Sequence, residues 1–484
     1  MRSDESRSRA VRIEDSVTQH AAVITETNSP VIAAAAEYDL LPSNFRTFTG
    51  LSGSVTTANR EYCCSSGTDL GSYGTIQSFR SVNYRTGGSA TIRISGRFET
   101  AAPLTWSGMG AITIGDEMSF GYNGTTFGVW HRYGGLAEVR TLTITTPASG
   151  SENATITIND TAYVVPLTAG TPAHNSWEIS EWFDANVTEY KAEQNDGHVI
   201  ISAQSDGAKH GTWSFSSSTA VASFAQDTAG VSKSFNHIPQ ENWNRDTMGL
   251  LDPSKGNDYE IRYSNAYGNI EFYVMDHIRD RYIKVHTIKW ANKNTETNLG
   301  NPSMHIGGYA TSIAPGGDAV NVYITSLAAY DTAQTNKIRN PRATSNTKSI
   351  STTETSIMQI RCNRTYNGYI NQAEIEPVYI TLANDGTKQA VFRLIGNPTL
   401  NGEYDFNDIG TDLISAKDTA ATTYVSGGRF LAEFTVGRQS SLAIDLNQFN
   451  IRLPPTLRLC ITGQMVSGSA ADLTATLTWY EDVY

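Results

Sequence analysis

Charge is scarce in this chain. Only 17% of its 484 residues are charged, and 36 lysines and arginines face 48 aspartates and glutamates. A net charge of −12 argues against a nucleic-acid-binding surface, which needs gathered Lys and Arg. Cysteine is scarcer, at four residues. Cys63 and Cys64 are neighbours, and bridge geometry wants Cα atoms further apart than neighbours sit. Cys362 and Cys460 fall in strand-like runs and read as buried thiols. The Cys-x-x-Cys and zinc-type spacings are missing, so neither a disulfide framework nor a metal finger is expected. Long apolar runs are missing too. Val31–Ala36 is too short for a signal-peptide core or a membrane span, which predicts synthesis in a cytoplasm and no membrane insertion.

The sequence motifs of catalysis are also lacking. There is no Gly-x-x-x-x-Gly-Lys-Ser/Thr loop, no Gly-x-Gly-x-x-Gly after a strand, no Gly-x-Ser-x-Gly elbow and no His-Glu-x-x-His. His277 and His286 flank one expected hairpin and read as ordinary polar residues, not a metal pair. Asp405, Asn407, Asp408 and Asp412 crowd a loop with Gly410. Oxygen-rich loops can hold Ca²⁺, but this spacing is not that of an EF-hand and reads as a solvated turn. Glu178, Glu181 and Asp184 lie at helical spacing. A glycosidase needs two carboxylates converging across a cleft, and these read as a solvated helix face. Trp106, Trp130, Trp213, Trp243 and Tyr267 could stack on sugar rings, but core or interface packing is the simpler reading. Asn123, Asn153, Asn159, Asn186 and Asn363 fit Asn-x-Ser/Thr, as chance allows in a Thr-rich chain. No catalytic, cofactor-binding or metal-ligating residue is nominated, no cofactor is expected, and the chain reads as non-enzymatic.

What the chain does have is β pattern. It holds 40 glycines, 10% aromatics and abundant threonine, a composition suited to sheets whose solvent faces carry Thr and Ser. Phe120–Tyr122 reads as a strand that turns at Asn123-Gly124 and returns through Phe127, Val129 and Trp130. Ala90, Ile92 and Ile94 alternate with Thr91, Arg93 and Ser95. Tyr259, Ile261 and Tyr263 alternate with Glu260, Arg262 and Ser264. In Leu473–Trp479 the apolar residues alternate with Thr474, Thr476 and Thr478, and no Lys, Pro or charge guards that strand. One helix is expected, with Thr171 as N-cap, Pro172 at the first position, and Ile179, Trp182 and Phe183 on one stripe.

These patterns predict a mainly β protein with two β-sandwich, jelly-roll-like domains and a small α+β module inserted in the first. Residues 1–44 are expected as an N-terminal arm, read equally as a disordered tail or as a segment that orders against a neighbouring subunit or a virion anchor. Residues 45–133 and 231–330 form a discontinuous sandwich, and 134–230 form the module. Residues 331–350 are a linker, with Asn384-Asp385-Gly386 expected as a hairpin turn in the sandwich of 351–484, the assembly domain. Gly134–Gly230 carries eleven acidic residues against three basic ones. So acidic a module is expected to project into solvent.

The stretch Phe120–Thr145, FGYNGTTFGVWHRYGGLAEVRTLTIT, resembles a segment of virion structural proteins of tailed bacteriophages and of large DNA viruses of algae and protists. A second matching stretch is Leu251–Asn292, and the resemblance covers roughly residues 45–344. It implies a virion role as a fibre, spike or capsid-associated component. The partners it implies are copies of the chain, other virion proteins and a host-surface glycan. The rival readings are a glycan-active depolymerase of the phage type and a secreted lectin or adhesin, the latter disfavoured by the missing signal peptide.

Overall fold

The computed structural model describes residues 30–481 apart from positions 38, 42–43, 83–87, 100, 265, 317 and 332–340. Eight strands organise the N-terminal part: β1 (Glu61–Ser65), β2 (Tyr73–Ser78), β3 (Ala90–Phe98), β4 (Thr105–Ile112), β5 (Glu117–Asn123), β6 (Asn257–Tyr263), β7 (His305–Ser312) and β8 (Asn321–Asp331). They lie in two antiparallel sheets with spatial orders β1-β8-β3-β6 and β2-β7-β4-β5. Those orders are the two interlocked Greek keys of a jelly roll. Strand alternation builds the core. Ala90, Ile92 and Ile94 turn inward, while Phe120 from the facing sheet meets Tyr259 at 4.7 Å between ring centres.

Extra strands widen both sheets. Ile270–Asp276 and Arg281–Ile288 extend the first sheet beyond β6, and Thr126–Tyr133 and Ser234–Pro239 extend the second beyond β5. Part of the expected arm is also sheet, because Pro30–Ala35 pairs with β8. The rest of that arm, residues 1–29, lies outside the described residues. The Phe120 hairpin forms, but its two-residue loop is Gly124-Thr125, since Asn123 pairs with Thr126. Only Gly124 takes a positive φ, +57°. Glycine at the first loop position alone suits a II′-type turn, which needs one residue with φ > 0 where the expected Asn-Gly turn needs two.

A second set of eight strands follows: β9 (Pro341–Ile350), β10 (Thr355–Cys362), β11 (Ile375–Asn384), β12 (Ala390–Gly396), β13 (Arg429–Val436), β14 (Ser440–Asp445), β15 (Arg458–Met465) and β16 (Ala471–Glu481). Their sheets run β9-β16-β11-β14 and β10-β15-β12-β13. This is the same permutation as in the first set, so the chain carries two jelly rolls in tandem. The second core gathers Phe392, Leu477 and Trp479.

Two expectations fail here. Pro341–Ile350, read as linker, is a ten-residue strand that pairs along its whole length with β16. Its polar sequence suits an edge strand with little core to cover. Asn384-Asp385-Gly386 does not close a hairpin, because β11 and β12 lie in different sheets. The buried Asn384 amide donates to Lys388 O and Gly437 O while its Oδ1 accepts from Gly386 N–H, satisfying the backbone of a sheet-to-sheet crossing. The regular final strand, β16, is central, flanked by β9 and β11, so its unguarded backbone is fully paired.

Between β5 and β6 the chain builds a third core. Tyr190–Asn195, His198–Asp206, Ala137–Thr146 and Val221–Thr228 form one sheet, and Thr161–Leu167, Glu152–Ile158 and Trp213–Ser216 another. The helix α1 (Pro172–Asn186) packs on them through buried Ile179 and Phe183, and Thr171 caps it by accepting from His174 N–H. Among the described residues no helix is long and apolar enough to cross a membrane.

Candidate functional site

Ile179 and Phe183 point α1 into its own core, which leaves Trp177, Glu181 and Asp184 on another stripe of the helix, since residues three and four apart are neighbours. That stripe faces the second jelly roll. Between them lies a cleft of about 160 Å³, bounded by α1 and Tyr190–Asn195 on one side and by β10, β15 and the strand Phe406–Asp408 on the other.

The walls are fastened by charge. Arg361 on β10 meets Glu193 at 3.1 Å, and both are nearly fully buried. The Arg361 guanidinium also donates to Gln194 O at 2.8 Å. Burial lowers Arg361 from the usual guanidinium value, and Glu193 pulls it back up. Glu193 accepts a second bond from Arg364 N–H at 2.8 Å, and Arg364 reaches Asp184 at 3.4 Å. Below this, Asp196 N–H donates to Phe406 O, and Asn195 donates to Asp408. At the far end His174 touches Glu403 at 2.8 Å. One wall is a ladder of rings and cations: Tyr404 stacks on Phe406, Arg361 lies over Phe406 at 4.2 Å, and Arg458 lies over Tyr404 at 4.7 Å. Loss of solvation, then the neighbouring Asp184, raise the Glu181 carboxyl, against Arg458 and Arg361.

The acidic module therefore does not stand clear in solvent on this side. Its acid faces three arginines, and this complementarity is why the segment is held down.

The other candidates divide clearly. Glu178 leaves the cleft group, bonding Thr168 and Asn175. The wall opposite Glu181 and Asp184 is arginine, so no glycosidase-like carboxylate pair spans the cleft. Asp408 accepts from Asn195 and Asn363, and Asn407 donates to Asp405 O, so the acidic loop is tied into protein amides. Asp412 takes no place in the cleft wall. Among the described residues no three His, Cys, Asp or Glu side chains gather as a metal site. His277 lies in a turn, while His286 is buried in the strand Arg281–Ile288, accepts from Asn244 N–H, and is held down to about 4 by desolvation.

Trp130 and Trp243 are buried. Trp106 donates to Asn123, Trp213 lies under Arg140, and Tyr267, though exposed, donates to Thr295 O. Asn363 is buried and bonded to Asp408, which removes it as a glycan acceptor in the folded chain. All four cysteines are free thiols. Trp177, Arg361, Arg364 and Arg458 escaped the sequence reading. The available signal was Arg361 itself, a cation inside the apolar run Ser356–Cys362, which needs a partner when buried.

No family model matches the chain, and no curated protein matches it. Among solved structures it is similar to the lectin UEA-II complexed with galactose, at 8% identity and TM-score 0.23, over 63% of this chain and 99% of that one. It is also similar to a chain of Sulfolobus turreted icosahedral virus, at 9% identity and TM-score 0.18, over 91% of each. A third is a chain of infectious bursal disease virus strain Gt, at 9% identity and TM-score 0.16, over 81% of this chain and 71% of that one. Similarity at these TM-scores carries no argument about this chain, whose jelly rolls are read from its own sheet order.

Proposed function

We propose that this chain is a non-enzymatic structural protein of a virion, a fibre, spike or capsid-associated surface component. In this reading it assembles with copies of itself and with other virion proteins, and contributes to host attachment through surface glycans. The observation that carries the reading is the tandem repeat of one jelly-roll permutation, a topology used by viral capsid and lectin domains. Fold alone assigns no function. The resemblance carried by Phe120–Thr145 and Leu251–Asn292 supplies the rest of the support.

The assembly surface in this reading is the outer face of β9-β16-β11-β14. Its cross-strand rows are Thr347, Thr474, Ala383 and Ser441, then Ser345, Thr476, Thr381 and Ala443, then Ala343, Thr478, Tyr379 and Asp445. Among these twelve only Asp445 is charged, with Asp472 on the next row beside Ser349, where a solvent-facing surface carries about 25–35% charged residues. A small-residue face of this kind can lie flat against the same face of a second copy. Sedimentation of the purified chain tests it. Self-association that Thr476→Lys and Thr381→Lys abolish supports the reading, and a wild-type monomer at micromolar concentration overturns this surface.

A further inference from the structure

In the cleft below α1, most charges are matched. Arg361 is engaged by Glu193 and Gln194 O, and Arg364 by Asp184. Two groups are left over. The Arg458 side chain of β15 makes only its ring contact with Tyr404, while its backbone bonds Asn397, and the exposed Glu181 side chain of α1 has no ion pair or hydrogen bond among the described residues. They are opposite charges on opposite walls of one cavity, and they do not meet within ion-pair distance. Beside them stand the rings of Trp177 and Tyr404. The cavity floor includes Thr456, a β-branched residue at φ +78°, pinned by its N–H to Cys362 O at 2.8 Å. A β-branched residue in the left-handed region is a true outlier, and such outliers gather at ligand clamps.

A ligand that fits must offer acceptors to the guanidinium and donors to the carboxylate on opposite edges, plus an apolar face for the rings. A pyranose does all three. Its hydroxyls both donate and accept, and its C–H face packs on aromatic rings. Whole-ligand pockets commonly span ~300–1,000 Å³, so a cavity of about 160 Å³ suits one ring at the end or branch of a glycan. We propose that this cleft binds a single pyranose unit, with Arg458 and Glu181 holding hydroxyls from its two edges and Trp177 facing its ring. The proposal rests on the glycan-attachment part of the reading above and is independent of assembly.

Saturation-transfer NMR on the intact chain with neutral, amino and uronic monosaccharides tests it, with glycine and glutamate as zwitterionic controls. The expected result is saturable millimolar binding of at least one pyranose. Arg458→Leu and Glu181→Gln should each weaken it roughly ten- to hundredfold, as loss of a charge-assisted hydrogen bond implies. Glu181→Gln should keep the wild-type melting temperature, because its side chain has no hydrogen-bond partner to lose, and Arg458→Leu should lower it only slightly, through loss of the contact with the Tyr404 ring. If a variant melts early, Arg458→Lys, which keeps the charge and loses the fork, should bind at intermediate strength. Overturning results are no saturation by any sugar, equal binding in the variants, or saturation by the amino acids alone. Sedimentation of the same sample separates the two claims: a self-associating chain that ignores every sugar refutes the cleft and leaves assembly standing.

Discussion

Arg361 and Glu193 meet at 3.1 Å across the seam between the inserted module and the second jelly roll, with almost none of either side chain exposed. A buried pair is a modest net stabiliser while intact, yet removing one partner strands a desolvated charge. Glu193→Leu or Arg361→Met should therefore destabilise the chain by about 3–5 kcal/mol, and the double replacement by clearly less. Urea unfolding followed at the tryptophans checks this. Additive losses in the double variant would show that the two side chains act separately.

The seam also sets what happens when the module is removed. Tyr133 and Ser234 are directly paired, so the chain leaves and re-enters at one point of one sheet. Replacing residues 134–233 by Asn-Gly should close a short hairpin and leave the first jelly roll with native near-UV dichroism. The second roll should lose thermal stability, because Arg361 and Arg364 then lack Glu193 and Asp184. A molten first roll would place part of its core in the excised segment.

Two imidazoles make the first sandwich acid-sensitive. Burial lowers His286 and His305 from 6.5 to about 4. Above pH 6.5 neither the folded nor the unfolded chain protonates them. Between 6.5 and about 4 the unfolded chain takes protons that the folded chain refuses, so stability falls as pH falls through this window. Each histidine should contribute a slope of up to about 1.4 kcal/mol per pH unit. Urea midpoints across that range should show the slope, and His305→Asn should reduce it. A flat profile in the wild type would refute the burial of both rings.

Gly124 is the residue the Phe120 hairpin depends on. Its Cβ position is open, so a side chain there meets no steric clash, only the unfavourable backbone at φ +57°. Gly124→Val should cost about 1–2 kcal/mol and Gly124→Asn much less. Equal costs for both would mean the loop rebuilds around the new residue.

Alternation was legible wherever one face is buried. The strands of Ala90, Tyr259 and Leu473 follow from period two, and α1 from its cap and stripe. Pairing was not legible, because the same pattern fits any neighbour. That is why Asn384-Asp385-Gly386 looked like a hairpin and Pro341–Ile350 like a linker. The cleft was hidden for a related reason. Glu181 and Asp184 are solvated on an isolated helix, and only the fold brings Arg361, Arg364 and Arg458 against them from 177 or more positions away along the chain.

The virion reading meets its most direct test in electron microscopy of purified particles labelled with antibody to this chain and gold. The account predicts dense, regularly placed label on the particle surface, with the antigen sedimenting with the particles. Unlabelled particles, with the antigen left in the soluble fraction, would contradict it.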